Sequence, residues 1–189
     1  MSKLRAVCVY CGSQPGGDPA HLEAARATAD ALCAAGLRLV YGGAGVGLMG
    51  ALADRVLAGG GEVVGVIPET LVKAEVAHRG LTEQHVTADM HARKAQMAAR
   101  ADAFLVLPGG LGSMEELFEV WTWRQLRYHD KPIGLLNTAG YYDGLLAWLD
   151  HAVDAGFVRA PIRALLHVDT DPERLIARLD QDAAARAAP

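Results

Sequence analysis

Short, almost wholly apolar runs alternate with longer amphipathic segments along all 189 residues, a pattern that few folds can use. Leu4 to Tyr10 reads as a buried strand, and Asp18 to Ala35 as a helix that Gly36 stops. Leu37 to Tyr41 is a second strand; Val46 to Ala58 is a helix ended by Gly59-Gly60-Gly61. Glu62 to Ile67 is a third strand, halted by Pro68, and Leu81 to Val86 a shorter, more polar one. Helices over Asp89 to Ala101, Ser113 to Arg127 and Tyr141 to Ala155 alternate with strands Ala103 to Leu107 and Pro132 to Leu136. A weak strand from Leu165 to Val168 and a helix from Asp171 to Leu179 follow, and the Ala-rich tail over 182–189 is expected to fray. Such alternation implies βαβ units: an α/β, doubly wound, mostly parallel sheet with helices on both faces. Residues 1–189 read as a single domain.

A net charge of −4 with no basic block argues against nucleic-acid or membrane binding. It does not argue against a phosphate ligand, which backbone N–H groups can hold. Cys8 and Cys11 are spaced C-x-x-C, but no second pair completes a metal site, so no metal is expected. Cys8 reads instead as a small buried hydrophobe in a strand and Cys11 as the start of a loop. Three cysteines fit a reducing, cytoplasmic setting. No charged-then-apolar leader and no apolar run of membrane length is present, so neither secretion nor membrane spanning is expected.

Ligands of such sheets bind outside the carboxyl ends of the strands, where strand order reverses. The loops after strands are therefore the places to search, and three are rich in glycine or small residues: Cys11 to Gly17, Gly42 to Gly50 and Pro108 to Gly112. The second contains G-x-G-x-x-G at Gly45, Gly47 and Gly50, a dinucleotide fingerprint in form. It follows the second strand rather than the first, and the nearest acidic candidate, Glu69, lies beyond the third strand. Tight helix-to-sheet packing explains some of these glycines but not five in nine residues.

The third loop, Pro108-Gly109-Gly110-Leu111-Gly112-Ser113-Met114-Glu115-Glu116, is more informative. Glycines let the backbone approach a ligand, and a helix N-terminus offers unpaired N–H groups, so together they make an anion site. No Gly-Lys-Ser/Thr follows, which points to a monophosphate rather than a Mg-bound triphosphate. Ser113-x-x-Glu116 also matches a capping box, in which Glu116 would only reach back to the cap. The competing reading places an ionised carboxylate beside a sugar, suited to stabilising an oxocarbenium ion. Met90-His91-Ala92-Arg93-Lys94 opens another helix, where Arg93 and Lys94 could complement phosphate or orient Glu116.

These stretches together resemble the LONELY GUY family of cytokinin riboside 5′-monophosphate phosphoribohydrolases. The family signature Pro-Gly-Gly-x-Gly-Thr-x-x-Glu is matched from Pro108 to Glu116 with Ser113 for Thr, and its Arg-Lys element falls on Arg93 and Lys94. Cys11-Gly12-Ser13, Tyr41-Gly42-Gly43, Gly47-Leu48-Met49-Gly50 and Gly140-Tyr141-Tyr142-Asp143 look like the family too. The resemblance spans about Ala6 to Asp180. It implies a Rossmann-like domain, a homodimer, and no metal or organic cofactor. It implies Arg93 and Glu116 as the catalytic pair. It further implies Gly109, Gly110, Gly112 and Ser113 around the phosphate, Glu115 on the ribose, and Ser13, Gly43, Met90 and Lys94 near the nucleotide. Ala92 stands where the family commonly has an acidic residue; if Asp89 caps the helix, position 92 is N3 and a capping box is missing, at a cost of ~1 kcal/mol.

The implied activity is hydrolysis of the N-glycosidic bond of cytokinin riboside 5′-monophosphates and of AMP, giving free base and ribose 5-phosphate. The alternative is a carrier that binds a phosphorylated nucleotide or pterin cofactor without chemistry, which fold alone does not exclude. Lysine decarboxylation, a label often given to this family, would need a pyridoxal phosphate Schiff-base lysine. The candidates are Lys3, Lys73, Lys94 and Lys131, and none has a fitting context. Trp121 and Trp123, two apart on one helix, cannot share a face, so one is expected in the core and the other at an interface.

Overall fold

The computed structural model describes residues 4–74 and 76–186. Fifteen named elements follow in order: β1 (Ala6–Tyr10), α1 (Pro19–Ala34), β2 (Arg38–Tyr41), α2 (Gly47–Ala58), β3 (Val63–Pro68), α3 (Glu69–Lys73), β4 (Glu83–Thr87) and α4 (Met90–Ala99). Then come β5 (Ala103–Val106), α5 (Leu111–Gln125), β6 (Ile133–Leu136), α6 (Asp143–Asp154), α7 (Ala160–Arg163), β7 (Leu166–Asp169) and α8 (Pro172–Arg186). All six strand pairings are parallel, in the order β4-β3-β2-β1-β5-β6-β7. This is the doubly wound sheet that the alternation implies, and the Rossmann-like domain that the resemblance implies.

Period-two side-chain direction divides each strand between two cores. Val7 and Val9 of β1, with Leu105 of β5, pack among Leu32, Leu52 and Leu175 of α1, α2 and α8. Cys8 and Tyr10, with Phe104 and Val106, pack among Met97, Leu117, Trp121 and Leu149 of α4, α5 and α6. Trp121 is the core tryptophan, its indole N–H donating to the Ile162 carbonyl (3.1 Å), while Trp123 is partly buried on the same side. The Asp18 and Asp89 side chains cap α1 and α4, accepting from Ala20 N (2.9 Å) and Ala92 N (2.8 Å), so Ala92 does stand at N3.

The structure differs from the sequence reading at three points. Helices α3 and α7 are too short, at five and four residues, to show a periodic signal. Helix α8 continues to Arg186, so residues 182–186 are not a frayed tail; 187–189 lie outside the described residues. The cause is tertiary: Asp182 accepts from the interior Arg124 (2.9 Å), from His167 (2.9 Å) and from Arg186 (2.6 Å). Those donors outweigh burial and hold its carboxyl at about 2. Helix α5 begins at Leu111 with Gly110 as its N-cap and no side-chain cap, which makes Ser113 the third helical residue. The capping box is therefore not formed.

Strand order reverses between β1 and β5, with β2 beyond β1. Parallel strands point all their carboxyl ends to one edge, so the loops after β1, β2 and β5 meet there.

Candidate active site

The three loops are bound to one another. The Gly12 N–H donates to the Pro108 carbonyl (3.0 Å), and the Leu48 N–H to the Gly12 carbonyl (3.1 Å). Close packing accounts for the glycine run of the β2–α2 loop. A Cβ on Gly47 would meet the Ser13 backbone, and one on Gly50 would lie 2.6 Å from the Gly45 carbonyl. These glycines seat loop on loop, which removes the need for a dinucleotide to explain them.

Between the loops lies a cavity of about 650 Å³, lined by Ser13, Gly42, Arg93, Gly110, Ser113 and Glu116 among others. The wall suited to an anion is the start of α5. With no side-chain cap, the first N–H groups of that helix lack intrahelical partners and carry the positive end of the helix dipole. Gly109 packs against Ser113, where a Cβ would run into the hydroxyl. Leu111 is 91% exposed and does not line the cavity, whereas its neighbours Gly110 and Gly112, which carry no side chain, do.

Glu116 sits one turn further along α5, its side chain 12% exposed. Burial raises its carboxyl from an ordinary 4.5 to about 7, against the opposing pull of the Arg93 guanidinium. Arg93 is on α4 and is held from behind. Its Nε donates to the Val66 carbonyl (3.1 Å) and Nη2 to the Gly42 carbonyl (3.1 Å), while Nη1 faces the Met90 sulfur (3.7 Å) and Glu116 Oε1 (3.9 Å). Two carbonyls thus aim a buried cation at the crevice while leaving one amino group available for ligand or carboxylate. The adjacent methionine Met49, with Val46, Leu71, Val76 and Met97, gives the cavity an apolar side.

Not every residue named from the sequence lines this cavity. Ser13, Arg93, Gly110, Gly112, Ser113 and Glu116 do. Gly109 packs against Ser113 and Gly12, Met90 sets its sulfur against Arg93 Nη1, and Gly43 gives its carbonyl to the His78 N–H (2.9 Å). The Lys94 amine donates to Glu115 (2.6 Å) and Glu119 (2.9 Å), so Lys94 and Glu115 link α4 to α5, and neither lines the cavity. Gly42 was passed over for its neighbour Gly43, and Leu71 lies on α3, which the sequence reading lacked. Strand-end position alone could have singled out Gly42.

Cys8 and Cys11 are free and buried, and burial pushes both thiols up, away from the thiolate needed for redox or metal chemistry. Among the described residues no three His, Cys, Asp or Glu side chains gather to hold a metal. No described helix is long and apolar enough to cross a membrane.

Fold and site together define a doubly wound α/β domain whose strand-end crevice holds an uncapped helix start and a buried carboxylate beside an arginine. Comparison with known proteins narrows this class. The sequence pattern of the family described as "Possible lysine decarboxylase" matches residues 49–179. A cytokinin riboside 5′-monophosphate phosphoribohydrolase of Arabidopsis thaliana is 46% identical over 95% of this chain and 83% of that one. A protein of Oryza sativa subsp. japonica, described as a probable enzyme of that same name, is 46% identical over 96% of this chain and 74% of its own length. Among solved structures, the molybdenum cofactor carrier protein of Chlamydomonas reinhardtii matches with a TM-score of 0.70 over 95% of this chain and 98% of that chain. At 21% identity that is a likeness of fold. The chain belongs to the LONELY GUY family.

Proposed function

We propose that this protein hydrolyses the N-glycosidic bond of cytokinin riboside 5′-monophosphates and of AMP, releasing the base and ribose 5-phosphate. The observation that carries the reading is one crevice holding an uncapped helix start, a buried carboxylate one turn along it, and an arginine aimed at that carboxylate. The phosphate binds the N–H groups from Gly110 to Ser113, which sets the ribose beside Glu116. Water oxygen bonds to C1′ as the C1′–N bond breaks; the bonding pair leaves with the base, and a water proton ends on the base. Ionised Glu116 stabilises positive charge at C1′, takes the proton of the attacking water and gives it up, directly or through solvent, to the departing base, which returns the carboxylate to its ionised form; such a role suits a group titrating near neutrality. Arg93 opposes the effect of burial and favours the ionised form of Glu116. The apolar side made by Val46, Met49, Leu71 and Val76 suits an N6-isoprenoid group.

Anchoring by the phosphate positions the scissile bond. The unphosphorylated riboside is therefore expected to react with kcat/KM at least about 10²-fold lower than the monophosphate, given two or more charge-assisted hydrogen bonds at ~1.5–3 kcal/mol each. Equal rates in a base-release assay would remove the anchor from the mechanism. The pH profile gives a second check. Because the active carboxylate has its pKa raised to about 7, activity should fall as pH drops through 7 and level off above it. The profile of kcat/KM between pH 5 and 9 measures this, with the substrate's own phosphate ionisation followed by phosphorus NMR; a profile that falls with rising pH contradicts the assignment.

The carrier alternative is not favoured, since a carrier has no need of Arg93 set against a buried Glu116, and the relatives at 46% identity bear the enzyme's name. Nor does the crevice suit a decarboxylase. Lys73 pairs with Glu69, Lys131 donates to the Ala98 carbonyl, and Lys3 lies outside the described residues. The Lys94 amine is held above its ordinary pKa by Glu115 and Glu119 against the effect of burial, whereas a Schiff-base lysine needs a lowered one. The mechanism uses only the chain's own groups. We also propose a cytoplasmic homodimer in which the exposed Trp148 and Leu126 of the α5–α6 side meet a second copy, which sedimentation velocity reads directly.

A further inference from the structure

An anion cradle built from backbone works only if its carbonyl oxygens point elsewhere, because each carries a partial negative charge. The turn after β5 meets this demand at three consecutive residues. The Leu107 carbonyl accepts the Tyr142 hydroxyl (2.7 Å), the Pro108 carbonyl accepts the Gly12 N–H (3.0 Å), and the Gly109 carbonyl accepts the Tyr141 hydroxyl (2.7 Å). Two of these three donors are adjacent tyrosines from the β6–α6 loop, and neither lines the cavity.

That loop is built to deliver them together. Ala139 at φ 50 and Gly140 at φ 72 are consecutive left-handed residues, a costly conformation for alanine of roughly 1 kcal/mol, and they reverse the chain just before the pair. Asn137 then locks the result: its Oδ1 accepts the Tyr142 N–H (2.7 Å) while its amide donates to Asp143 (2.7 Å). Tyr142 is 3% exposed and Tyr141 packs edge-on against both Tyr142 and His21. Neither hydroxyl is needed to fill the core, and both are spent on the same turn.

We propose that Tyr141 and Tyr142 are positioning residues for the 5′-phosphate: their hydroxyls hold the Leu107 and Gly109 carbonyls out of the crevice, so that the N–H groups from Gly110 to Ser113 face the anion. This deepens the hydrolase reading and rests on it for the identity of the substrate, but the anion site can be probed without turnover. Losing either hydroxyl frees one carbonyl to rotate toward the phosphate.

The test uses Tyr141→Phe, Tyr142→Phe and the double variant. Titration calorimetry with ribose 5-phosphate should show Kd raised about fivefold in each single variant and about twentyfold in the double, the scale of one hydrogen bond each. In turnover, KM for AMP should rise with little change in kcat, and the ratio of kcat/KM for AMP over adenosine should fall by similar factors. Tyr141 is half exposed, so its variant keeps its fold even if Tyr142→Phe is destabilised. A purely structural role would lower the melting temperature and depress both substrates alike, leaving that ratio and the Kd unchanged, and that result overturns the proposal. If wild type releases no base yet the Kd shifts appear, the hydrolase reading fails and the positioning role stands.

Discussion

Glu116→Gln is expected to lower kcat for base release by about 10³-fold, in the range that a positioned proton-transferring side chain supplies, with little change in KM. Glutamine keeps the shape and the hydrogen-bonding reach, and position 116 lies a turn beyond the N–H groups proposed to hold the phosphate, so binding should survive. The stability effect runs the other way. Burial raises the Glu116 carboxyl from 4.5 to about 7, so the native protein holds that proton more tightly than the unfolded chain does. Stability from this group is fully present below pH 4.5 and is lost as pH rises through 7. Glutamine has no proton to lose. The variant should therefore melt at or above the wild-type temperature at pH 8, and its advantage should shrink at pH 5. Single-turnover rates and paired melting curves read both effects. A variant that keeps more than about a tenth of the wild-type rate would show that the carboxylate performs no chemistry.

Gly42→Ala should cost about 10²-fold in kcat, comparable to removing a preorganised charge-stabilising donor, although position 42 carries no functional group. A methyl there would run into Nη2 of Arg93 and lie 2.6 Å from the Met49 terminal carbon. Both obstacles are ends of flexible side chains, so the backbone can stay and Arg93 must leave its seat on the Gly42 and Val66 carbonyls. The expected consequence is a folded protein whose Glu116 titrates higher, because the displaced guanidinium no longer lowers it. Arg93→Ala should show the same loss, and the double variant should be no worse than either single one, since both remove one interaction. Additive losses, or a fully active Gly42→Ala, would mean that Arg93 is not held where its hydrogen bonds place it.

Much of the site was legible in the sequence because its signals are local. The glycine-rich turn that runs into α5 is visible in a few consecutive residues from Pro108 to Ser113, and Asp89 declares its cap through a partner three residues away. Where local patterns misled, tertiary partners had intervened. Ser113 and Glu116 have capping-box spacing, yet the helix starts two residues earlier at Leu111, which frees Glu116 for the crevice. Lys94, next to Arg93 in sequence, turns to Glu115 and Glu119 because α4 packs beside α5.

The sequence by itself determined the layered α/β architecture, the parallel strands and the glycine-rich turn with its carboxylate, because hydrophobic period and turn chemistry depend on near neighbours. Only the tertiary structure decided which polar groups would be consumed and which left free. Arg93 reaches back 51 residues to Gly42 and 27 to Val66; Tyr142 reaches back 35 to Leu107. Those pairings follow from a sheet order that sets β1 between β2 and β5 and gathers distant loops at one edge. A buried donor must find an acceptor, and which acceptor is near is a property of strand order, which no local stretch of sequence encodes.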